Sequence, residues 1–401
     1  MLPRISLVLL SLLAGCAIQP TPPVIVPPVS TVSVPPLAVS KWERLPGWQD
    51  SDLQTSWIAF RQSCLALRNK PGWQEVCAHS DQLGTPDNAM LREFFEQGFT
   101  PYQVSNPDGT SEGMITGYYE PKLLGSRVRT DRFRYPLYAA PDDLLTIDLG
   151  EVYPQLKGMR LRGRLQDKRI VPYYTRADID EGKAALHGRE LFWVADAVDL
   201  FFLQIQGSGR IELPDGSLIK VGYADQNGHP YVSIGRKLVD MGALKLEEAS
   251  MQGIKRWAID HPQELRTLLE QNPSYVFFRE LPNGLSAPLG ALGVPLTGAY
   301  SIAIDPRTVP LGAPVFLATT YPNSSEPLQR LMLAQDTGGA IKGAVRADFF
   351  WGFGDEAGAM AGKMKQKGEM WVLLPKGMEP PAPQAAPQPT PPVCVQAKNG
   401  Q

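Results

Sequence analysis

The amino-acid sequence predicts a mixed α+β fold that is mainly β: a β-barrel host domain with a second β-barrel domain inserted into it. In the last third of the chain, short strand-like segments are separated by long connections, which suits a barrel better than a doubly wound sheet. Between residues 117 and 229, strands follow one another with turn signals at Asp215-Gly216 and Asn227-Gly228. Mixed helical and extended patterns flank this block, which indicates an insertion.

Changes in composition divide the chain further. Proline-rich stretches near both ends cannot form helices or central strands, so we expect them to extend from the folded body. A length of 401 residues accommodates two domains, or one domain with a large insertion. The predicted regions are a signal peptide at 1–15, a proline-rich tether at 16–40, the host domain at 41–116 and 230–376, the inserted domain at 117–229, and a disordered proline-rich tail at 377–401.

Charge and hydropathy exclude two classes of protein. The chain has 39 Lys and Arg residues against 41 Asp and Glu, a formal net charge of −2. Because nucleic-acid binding usually needs a basic field, no nucleic acid is expected as a partner. The body of the chain also contains no run of about 20 apolar residues, the length that a transmembrane helix requires.

The N-terminus has the pattern of a lipoprotein signal. Arg4 precedes an apolar run at 5–13, which is too short to cross a bilayer. The run ends in Leu13-Ala14-Gly15-Cys16, which is typical of a bacterial lipobox, so cleavage before Cys16 and lipidation of its thiol are expected. Ala17 rather than Asp after the cysteine favours the outer membrane. The alternative is a plain secretory signal with an incidental cysteine.

The other cysteines and the histidines give no sign of a metal site. Cys64 and Cys77 are close enough in sequence for a disulfide in an oxidising compartment, and two buried thiols are the alternative. Cys394 is alone in the tail. The four histidines lack metal-ligand spacing, so neither zinc nor any cofactor is expected.

Periodicity predicts the individual elements. Helices are expected at 56–68, at about 88–98 with Asp87 or Asn88 as its cap, around Ile234 and Leu238, across 251–257, and after Pro262. Strand patterns occur at 114–121, 135–138, 190–194, 200–206, 219–223, 275–278, 299–304, 315–318, 331–334 and 371–374.

A stretch near the C-terminal end is the strongest candidate for catalytic chemistry. An apolar strand leads into Asp336-Thr-Gly-Gly, and Asp348 follows the glycine-rich turn, directly before the aromatic run Phe349-Phe-Trp351. Partial desolvation beside an apolar wall raises a carboxyl pKa, which general acid catalysis requires. The alternative is that these aspartates only cap turns.

Two polar motifs are candidate substrate contacts. Tyr118 and Tyr119, at the start of the β block, either stack on sugar rings or pack within a strand. In Gln204-Ile-Gln206-Gly207-Ser208-Gly209, an extended backbone would place both glutamines and Phe202 on one face and Leu203 with Ile205 in the core. Such a neutral surface suits amides and hydroxyls. The motif lacks the lysine of a P-loop, and Ser208 lacks a convincing histidine partner.

These motifs occur together in the order of one family. Tyr118-Tyr119, the glutamine motif, Asp305 with Val-Pro-Leu-Gly312, and Asp336 to Gly343 with Asp348 make the chain resemble the membrane-bound lytic murein transglycosylase A family, over about 40–376. Asp305, Asp336 and Asp348 match a wider group of cell-wall proteins that are named for three aspartates. From its local pattern Asp305 is expected to be structural.

The resemblance implies a double-psi β-barrel host domain, an inserted second β-barrel, and a substrate groove between them. It implies cleavage of the β-1,4 bond between N-acetylmuramic acid and N-acetylglucosamine in peptidoglycan, with 1,6-anhydromuramoyl ends. Asp348 matches the single catalytic aspartate, Asp336 becomes a supporting residue, and Tyr118, Tyr119, Gln204, Gln206, Gly207, Ser208 and Lys342 become candidate substrate contacts. Lys342 is equally well explained as a solvated turn residue.

Single-aspartate chemistry agrees with these residues. A neutral carboxyl protonates the glycosidic oxygen, and the resulting carboxylate then accepts a proton from the muramic acid C6 hydroxyl. The alternatives are a hydrolase that uses Asp336 and Asp348 as paired carboxylates, or a non-catalytic glycan-binding outer-membrane lipoprotein. Expected partners are peptidoglycan strands, the outer membrane through lipidated Cys16, and a complex of cell-wall enzymes. The protein is expected to face the periplasm.

Overall fold

The computed structural model describes residues 36–156, 159 and 161–381. The predicted signal peptide, Cys16, nearly all of the tether and residues 382–401 lie outside the described residues. Within the described part, no helix combines the length and the hydropathy needed to cross a membrane.

Strands make up most of the folded body. In chain order they are β1 (Leu37–Val39), β2 (Phe99–Val104), β3 (Gly113–Glu120), β4 (Lys122–Ser126), β5 (Tyr135–Tyr138), β6 (Leu145–Thr146), β7 (Arg162–Gln166), β8 (Arg169–Pro172), β9 (Glu190–Val194), β10 (Ser208–Glu212), β11 (Leu218–Gln226), β12 (Val276–Glu280), β13 (Ser301–Ile304), β14 (Pro314–Thr320), β15 (Pro327–Thr337), β16 (Arg346–Phe353) and β17 (Lys365–Pro375).

The helices lie mainly before and after the β-rich centre of the chain. They are α1 (Gln54–Leu67), α2 (Gln74–Gln82), α3 (Asn88–Gly98), α4 (Arg176–Asp180), α5 (Ala197–Gln206), α6 (Ile234–Asp240), α7 (Met251–Asp260), α8 (Leu265–Glu270) and α9 (Gly354–Ala361). The sequence predicted α1 and α3, including the Asp87 cap, whose side chain accepts from the N–H of Met90. It did not predict α2, α4 or α9.

Six strands close into the host barrel. Their order is β17-β14-β15-β13-β16-β3, and pairing of β3 with β17 completes the circle. The β3–β16 and β13–β15 pairs are parallel, and the other pairs in the barrel are antiparallel. Strands β2 and β1 extend the sheet from β17. The predicted mainly-β fold with a barrel host is confirmed.

Helices α1, α2 and α3 pack against the barrel, and aromatic side chains form the core between these elements. Phe60 of α1 lies 5.7 Å from Phe94 and 5.6 Å from Phe95 of α3, measured between ring centroids. A disulfide between Cys64 and Cys77 joins α1 to α2, with Cα atoms 5.4 Å apart. Of the two alternatives for these cysteines, the disulfide is the one that the structure contains.

A second sheet forms the inserted domain. Its strand order is β12-β11-β10-β4-β9-β5, and an isolated bridge from Ala139 to Phe278 links the two edges. The predicted limits of 117 and 229 differ from this arrangement. At the first limit, residues 117–120 belong to β3 of the host barrel. At the second, the insert sheet includes β12, which pairs with β11 but begins only at Val276, 47 residues after position 229. We therefore propose 121–280 for the insert.

The predicted strand at 200–206 is wrong, because this segment is the end of helix α5. Asp196 caps the helix by accepting from the N–H of Asp199, and Gly207 ends it with a φ of +79°. Leu203 packs in the sheet core, whereas Phe201 packs against α6 to α8. Burial on two sides gives a continuous apolar run, which periodicity alone cannot assign to a helix or a strand.

Candidate active site

Asp348 lies on β16 in direct register with Thr116 on β3. The Thr116 hydroxyl donates a short hydrogen bond to Oδ1 of Asp348. The Arg346 guanidinium in turn donates to Oγ1 of Thr116 at 2.8 Å and to the backbone oxygens of Met114 and Ala347. Because the pair of strands is parallel, three side chains from two distant segments form one hydrogen-bonded row.

The environment of Asp348 shifts its carboxyl toward the protonated form by raising its pKa. Burial raises the pKa of Asp348, and the Thr116 hydrogen bond and the Arg346 charge only partly offset this. Its side chain is nevertheless only half-buried, so a ligand has access to it. Phe350, two residues along the strand on the same face, packs with Tyr118 and Ile341. Phe349 faces the opposite way into the barrel core.

Asp336 lies near the end of β15. Both Asp336 and Asp348 lie opposite Ala303 of the intervening strand β13, so their Cα atoms are about 10 Å apart, two strand spacings. Oδ1 of Asp336 accepts from the N–H groups of Ala291 at 3.0 Å and Thr337 at 2.9 Å. Its Oδ2 accepts from the Tyr118 hydroxyl at 3.0 Å.

Burial is the main reason that the pKa of Asp336 is raised to about 6. The negative charge of Asp348 raises it further, whereas the three donors lower it. Asp336 therefore connects three segments: its own strand, the loop that carries Ala291, and β3. This arrangement is what a supporting residue needs.

Asp305 follows β13 directly and is almost completely buried, with 2% of its surface exposed. It accepts from the N–H of Gly343 at 2.9 Å, and from the backbone and the guanidinium of Arg307. Burial would raise the pKa of Asp305, but these hydrogen bonds together lower it. Asp305 anchors the glycine-rich loop between β15 and β16, in agreement with the structural role expected from the sequence.

Lys342 lies on that loop with an exposed side chain, next to Ile341, which is buried. Ile341 packs against Tyr118 and Phe350, so it fixes the loop to the barrel. Lys342 is thus presented to solvent beside the aspartates. Both interpretations of this lysine, substrate contact and solvated turn residue, are compatible with its position.

The two tyrosines are packed inside the protein. Tyr118 is 7% exposed and lies 5.1 Å from Phe350 between ring centroids. Tyr119 is 8% exposed and packs against α9, with its hydroxyl 3.5 Å from the sulfur of Met251. Of the two alternatives for these rings, strand packing describes what the structure shows, since neither ring has a free face for a sugar.

The two glutamines point to different places, because they are two residues apart on a helix rather than on a strand. Gln204 is 6% exposed and accepts a short hydrogen bond from Arg176 inside the insert. Ile205, which an extended backbone would have placed in the core, is 41% exposed instead. Gln206 accepts from the N–H of Tyr119 at 3.0 Å and so connects the insert to β3 of the host barrel.

Gly207 and Ser208 follow at this junction. A Cβ at Gly207 would meet no atom within 4 Å, so the backbone there faces open space. Ser208 is half-buried at the start of β10. Two residues further along β10, the Arg210 guanidinium donates twice to Oε2 of Glu120, at 2.9 and 2.8 Å. Its Cζ lies 3.7 Å from the centroid of the Phe353 ring.

Four residues of the site were not predicted from the sequence: Thr116, Arg346, Glu120 and Arg210. Arg346 had a local signal, since a residue two positions before Asp348 on a strand shares its face. Thr116 had none, because it lies 232 residues from Asp348 and reaches it only through the parallel pairing. The ion pair between Glu120 and Arg210 likewise depends on how the two domains meet.

Comparisons with known proteins agree with this arrangement. The family model described as the MltA specific insert domain matches residues 114–279, and the model of the 3D domain matches residues 300–374. Membrane-bound lytic murein transglycosylase A of Escherichia coli K12 is 35% identical over 295 residues, 72% of this chain and 72% of that protein.

Solved structures resemble the chain over most of its length. MltA from Neisseria gonorrhoeae, in a monoclinic crystal form, is 46% identical with a TM-score of 0.74, covering 86% of this chain and 94% of that one. Escherichia coli MltA with bound chitohexaose is 29% identical with a TM-score of 0.63, covering 85% and 94%.

The closed barrel with its three aspartates, joined to an inserted sheet, defines a two-domain protein of the 3D-domain class. The sequence identity to the relatives, and the share of each chain that it covers, identify the family within this class. The chain belongs to the membrane-bound lytic murein transglycosylase A family.

Proposed function

We propose that the protein is a lytic transglycosylase that cleaves the β-1,4 bond between N-acetylmuramic acid and N-acetylglucosamine in peptidoglycan. The observation that carries this proposal is Asp348, a partly accessible carboxyl whose pKa is raised by burial and which has a single side-chain donor, where Asp336 has three donors. A solved relative described as MltA with bound chitohexaose supports a β-1,4-linked amino-sugar polymer as the ligand.

The reaction uses Asp348 twice. The neutral carboxyl gives its proton to the glycosidic oxygen as the bond from that oxygen to C1 of the muramic acid breaks. The carboxylate then removes the proton of the C6 hydroxyl as O6 forms a bond to C1. The products are a 1,6-anhydromuramoyl end and a free N-acetylglucosamine hydroxyl, and Asp348 is again protonated. No water is consumed.

The hydrogen bonding of Asp336 disfavours the hydrolase alternative. A second catalytic carboxylate must be able to accept a proton from water, whereas donors already occupy three of the roughly four acceptor positions of the Asp336 carboxylate. Two N–H groups donate to Oδ1 of Asp336, and the Tyr118 hydroxyl donates to Oδ2. We therefore assign Asp336 the role of holding the loop at Ala291 beside the site rather than that of a base.

The glycan is proposed to bind in a groove between the host barrel and the insert, beside Asp348. Lys342, Ser208 and the open backbone at Gly207 are the candidate contacts that are accessible. Gln204, Tyr118 and Tyr119 support the surrounding structure, because they are buried. Gln206 acts at the junction through its hydrogen bond to Tyr119.

We also propose that Cys16 is lipidated and holds the enzyme at the outer membrane, facing the periplasm. The lipobox at Leu13-Ala14-Gly15-Cys16 supports lipidation, and Ala17 supports the outer membrane. Relatives named as membrane-bound support attachment to a membrane. Association with other cell-wall enzymes is an expectation of the family resemblance.

Mass spectrometry of digested peptidoglycan tests the proposed reaction. The lipid-free protein should release muropeptides that are lighter by one water and end in anhydromuramic acid. Reducing ends would instead identify a hydrolase and direct attention to the Asp336–Asp348 pair. Intact glycan after prolonged incubation would favour the non-catalytic binding lipoprotein.

A further inference from the structure

The two oxygens of Asp348 have different surroundings. Oδ1 accepts from the Thr116 hydroxyl, whereas no group in the part of the chain that the structure describes donates to Oδ2. A carboxyl that carries one proton can hold it on either oxygen. The contacts around Thr116 decide between them.

The direction of the hydrogen bonds follows from the chemistry of the donors. A guanidinium has only donor groups, so Oγ1 of Thr116 must accept from Arg346 across their 2.8 Å contact. A threonine hydroxyl has one proton, and that proton is then directed at Oδ1 of Asp348. With Oδ1 accepting, the acidic proton of Asp348 belongs on Oδ2.

We propose that Arg346 and Thr116 are positioning residues that keep the transferable proton of Asp348 on Oδ2. The proposal rests on the transglycosylase function proposed above, and it adds the atom at which both proton transfers occur. Oδ2 gives its proton to the glycosidic oxygen, and the same oxygen accepts the proton of the C6 hydroxyl. Oδ1 stays bonded to Thr116 throughout.

Arg346 is itself held in one orientation. It is 9% exposed, and its Nη1 donates to the backbone oxygens of Met114, at 3.3 Å, and Ala347. In the parallel register Arg346 lies opposite Met114, and Asp348 lies opposite Thr116. A one-residue shift between β3 and β16 would turn these side chains to opposite faces, so the barrel fixes the row.

The row also stabilises the charged form of Asp348. The Thr116 hydrogen bond and the Arg346 charge both favour the carboxylate that exists between the two steps. The other titratable groups that interact with Asp348 are Tyr118 on β3 and Asp336 on β15. Lys365 on β17 pairs with Thr116 at the edge of β3 that faces away from β16. Loss of the Thr116 hydroxyl leaves those groups in place.

The test compares three threonine variants of the whole protein. Thr116→Val removes the hydroxyl at nearly constant volume, and Thr116→Ser restores it. Thr319→Val is the matched control, because Thr319 is a buried strand threonine of the barrel whose hydroxyl donates at 2.7 Å to a backbone oxygen, that of Lys367, and not to Asp348. The measurements are melting temperature, the pH profile of anhydromuropeptide release, and a carbon-13 NMR titration of Asp348.

The NMR signal of Asp348 is assigned by its absence in Asp348→Asn. In Thr116→Val we expect the titration midpoint of Asp348 and the falling limb of the activity profile to move to higher pH together. The maximal rate should fall about tenfold, the effect of losing one hydrogen bond to a charged group. Thr116→Ser should restore the wild-type midpoint, and Arg346→Met should move it in the same direction as Thr116→Val.

Two results would overturn the proposal. One is an Asp348 titration in Thr116→Val that matches the wild-type curve while Thr319→Val behaves identically. The other is a shift in Thr116→Val that Thr116→Ser fails to reverse, since the hydroxyl would then not be its cause. If Thr116→Val does not fold, the comparison of Arg346→Met with Arg346→Lys decides by the same midpoint. The titration needs no turnover, so a failure of the proposed reaction is seen separately.

Discussion

Asp305 directly follows β13, and Asp348 lies on β16, the strand that pairs with β13. Their surroundings have opposite effects on the pKa values of the two carboxyls. Asp305 is nearly inaccessible, but Arg307 and the N–H of Gly343 stabilise its carboxylate and lower its pKa. Asp348 is more exposed and has one hydroxyl donor, and its pKa is raised. The charged guanidinium among the donors to Asp305, rather than the degree of burial, separates this anchor from the proposed acid Asp348.

Asp336 lies between these two extremes. It has three donors, like an anchor, but they are neutral amide and hydroxyl groups rather than a guanidinium. Its pKa is accordingly raised to about 6 in spite of them. The three aspartates of the motif thus form a series that mutation can test.

The largest effect is expected at Asp348, the proposed acid. Asp348→Asn preserves the shape and an acceptor for Thr116 but removes the transferable proton. We expect release of anhydromuropeptides to fall by about a hundredfold to ten-thousandfold with little change in melting temperature. Asp131→Asn, at an exposed position of the insert, is the matched control. If Asp348→Asn retained more than a tenth of the wild-type rate, Asp348 would not be the acid.

At the anchor the expected effect is on stability. Asp305→Ala leaves the N–H of Gly343 and the Arg307 guanidinium without their acceptor, which should lower the free energy of unfolding by about 2 to 3 kcal/mol. Asp305→Asn retains one acceptor oxygen and should lose less. Urea denaturation measures both. Equal stability of the wild type and the alanine variant would contradict the anchoring role.

The raised pKa of Asp336 predicts that the free energy of unfolding depends on pH. Because the folded pKa of Asp336 is about 6 and its ordinary value is 3.8, the folded protein holds a proton that the unfolded chain releases. The stabilisation is fully present below about pH 4 and is lost as the pH rises through 6. Asp336→Asn removes this dependence.

Between pH 4 and 7 the free energy of unfolding of the wild type should therefore fall, relative to Asp336→Asn, by up to about 3 kcal/mol. Denaturation curves collected across this range give the difference directly. A difference that stays constant with pH, or grows in the other direction, would show that the pKa of Asp336 is not raised.

The smallest effect is expected from Tyr118→Phe. The hydroxyl donates to Oδ2 of Asp336, which lowers the pKa of that carboxyl. Its removal should raise the pH at which Asp336 loses its proton in the folded protein above 6. It should also lower the free energy of unfolding by about 1 kcal/mol. The phenylalanine ring keeps the contact with Phe350, so Tyr118→Leu serves to separate packing from hydrogen bonding. An unchanged transition in Tyr118→Phe would remove this hydroxyl from the site.

Much of this series could be predicted from sequence, because the aspartates stand in a local pattern of strand, glycine-rich turn and aromatic residues. The barrel and the helices α1 and α3 follow from such patterns, and so does the choice of Asp348 as the proposed acid. Helix α5 did not, because both of its sides are buried. The partner Thr116 did not either, since the register of β3 against β16 is a property of the closed barrel rather than of either segment.

The pairing of β3 with strands from the C-terminal end of the chain affects the order of folding. β3 pairs with β16 and β17, so the barrel closes only after Pro375 has been synthesised, although β3 itself is complete at Glu120. The sheet of the insert needs only the chain between Lys122 and Glu280. The insert can thus fold first and bring the ends of the host closer together, which shortens the loop that barrel closure must fix.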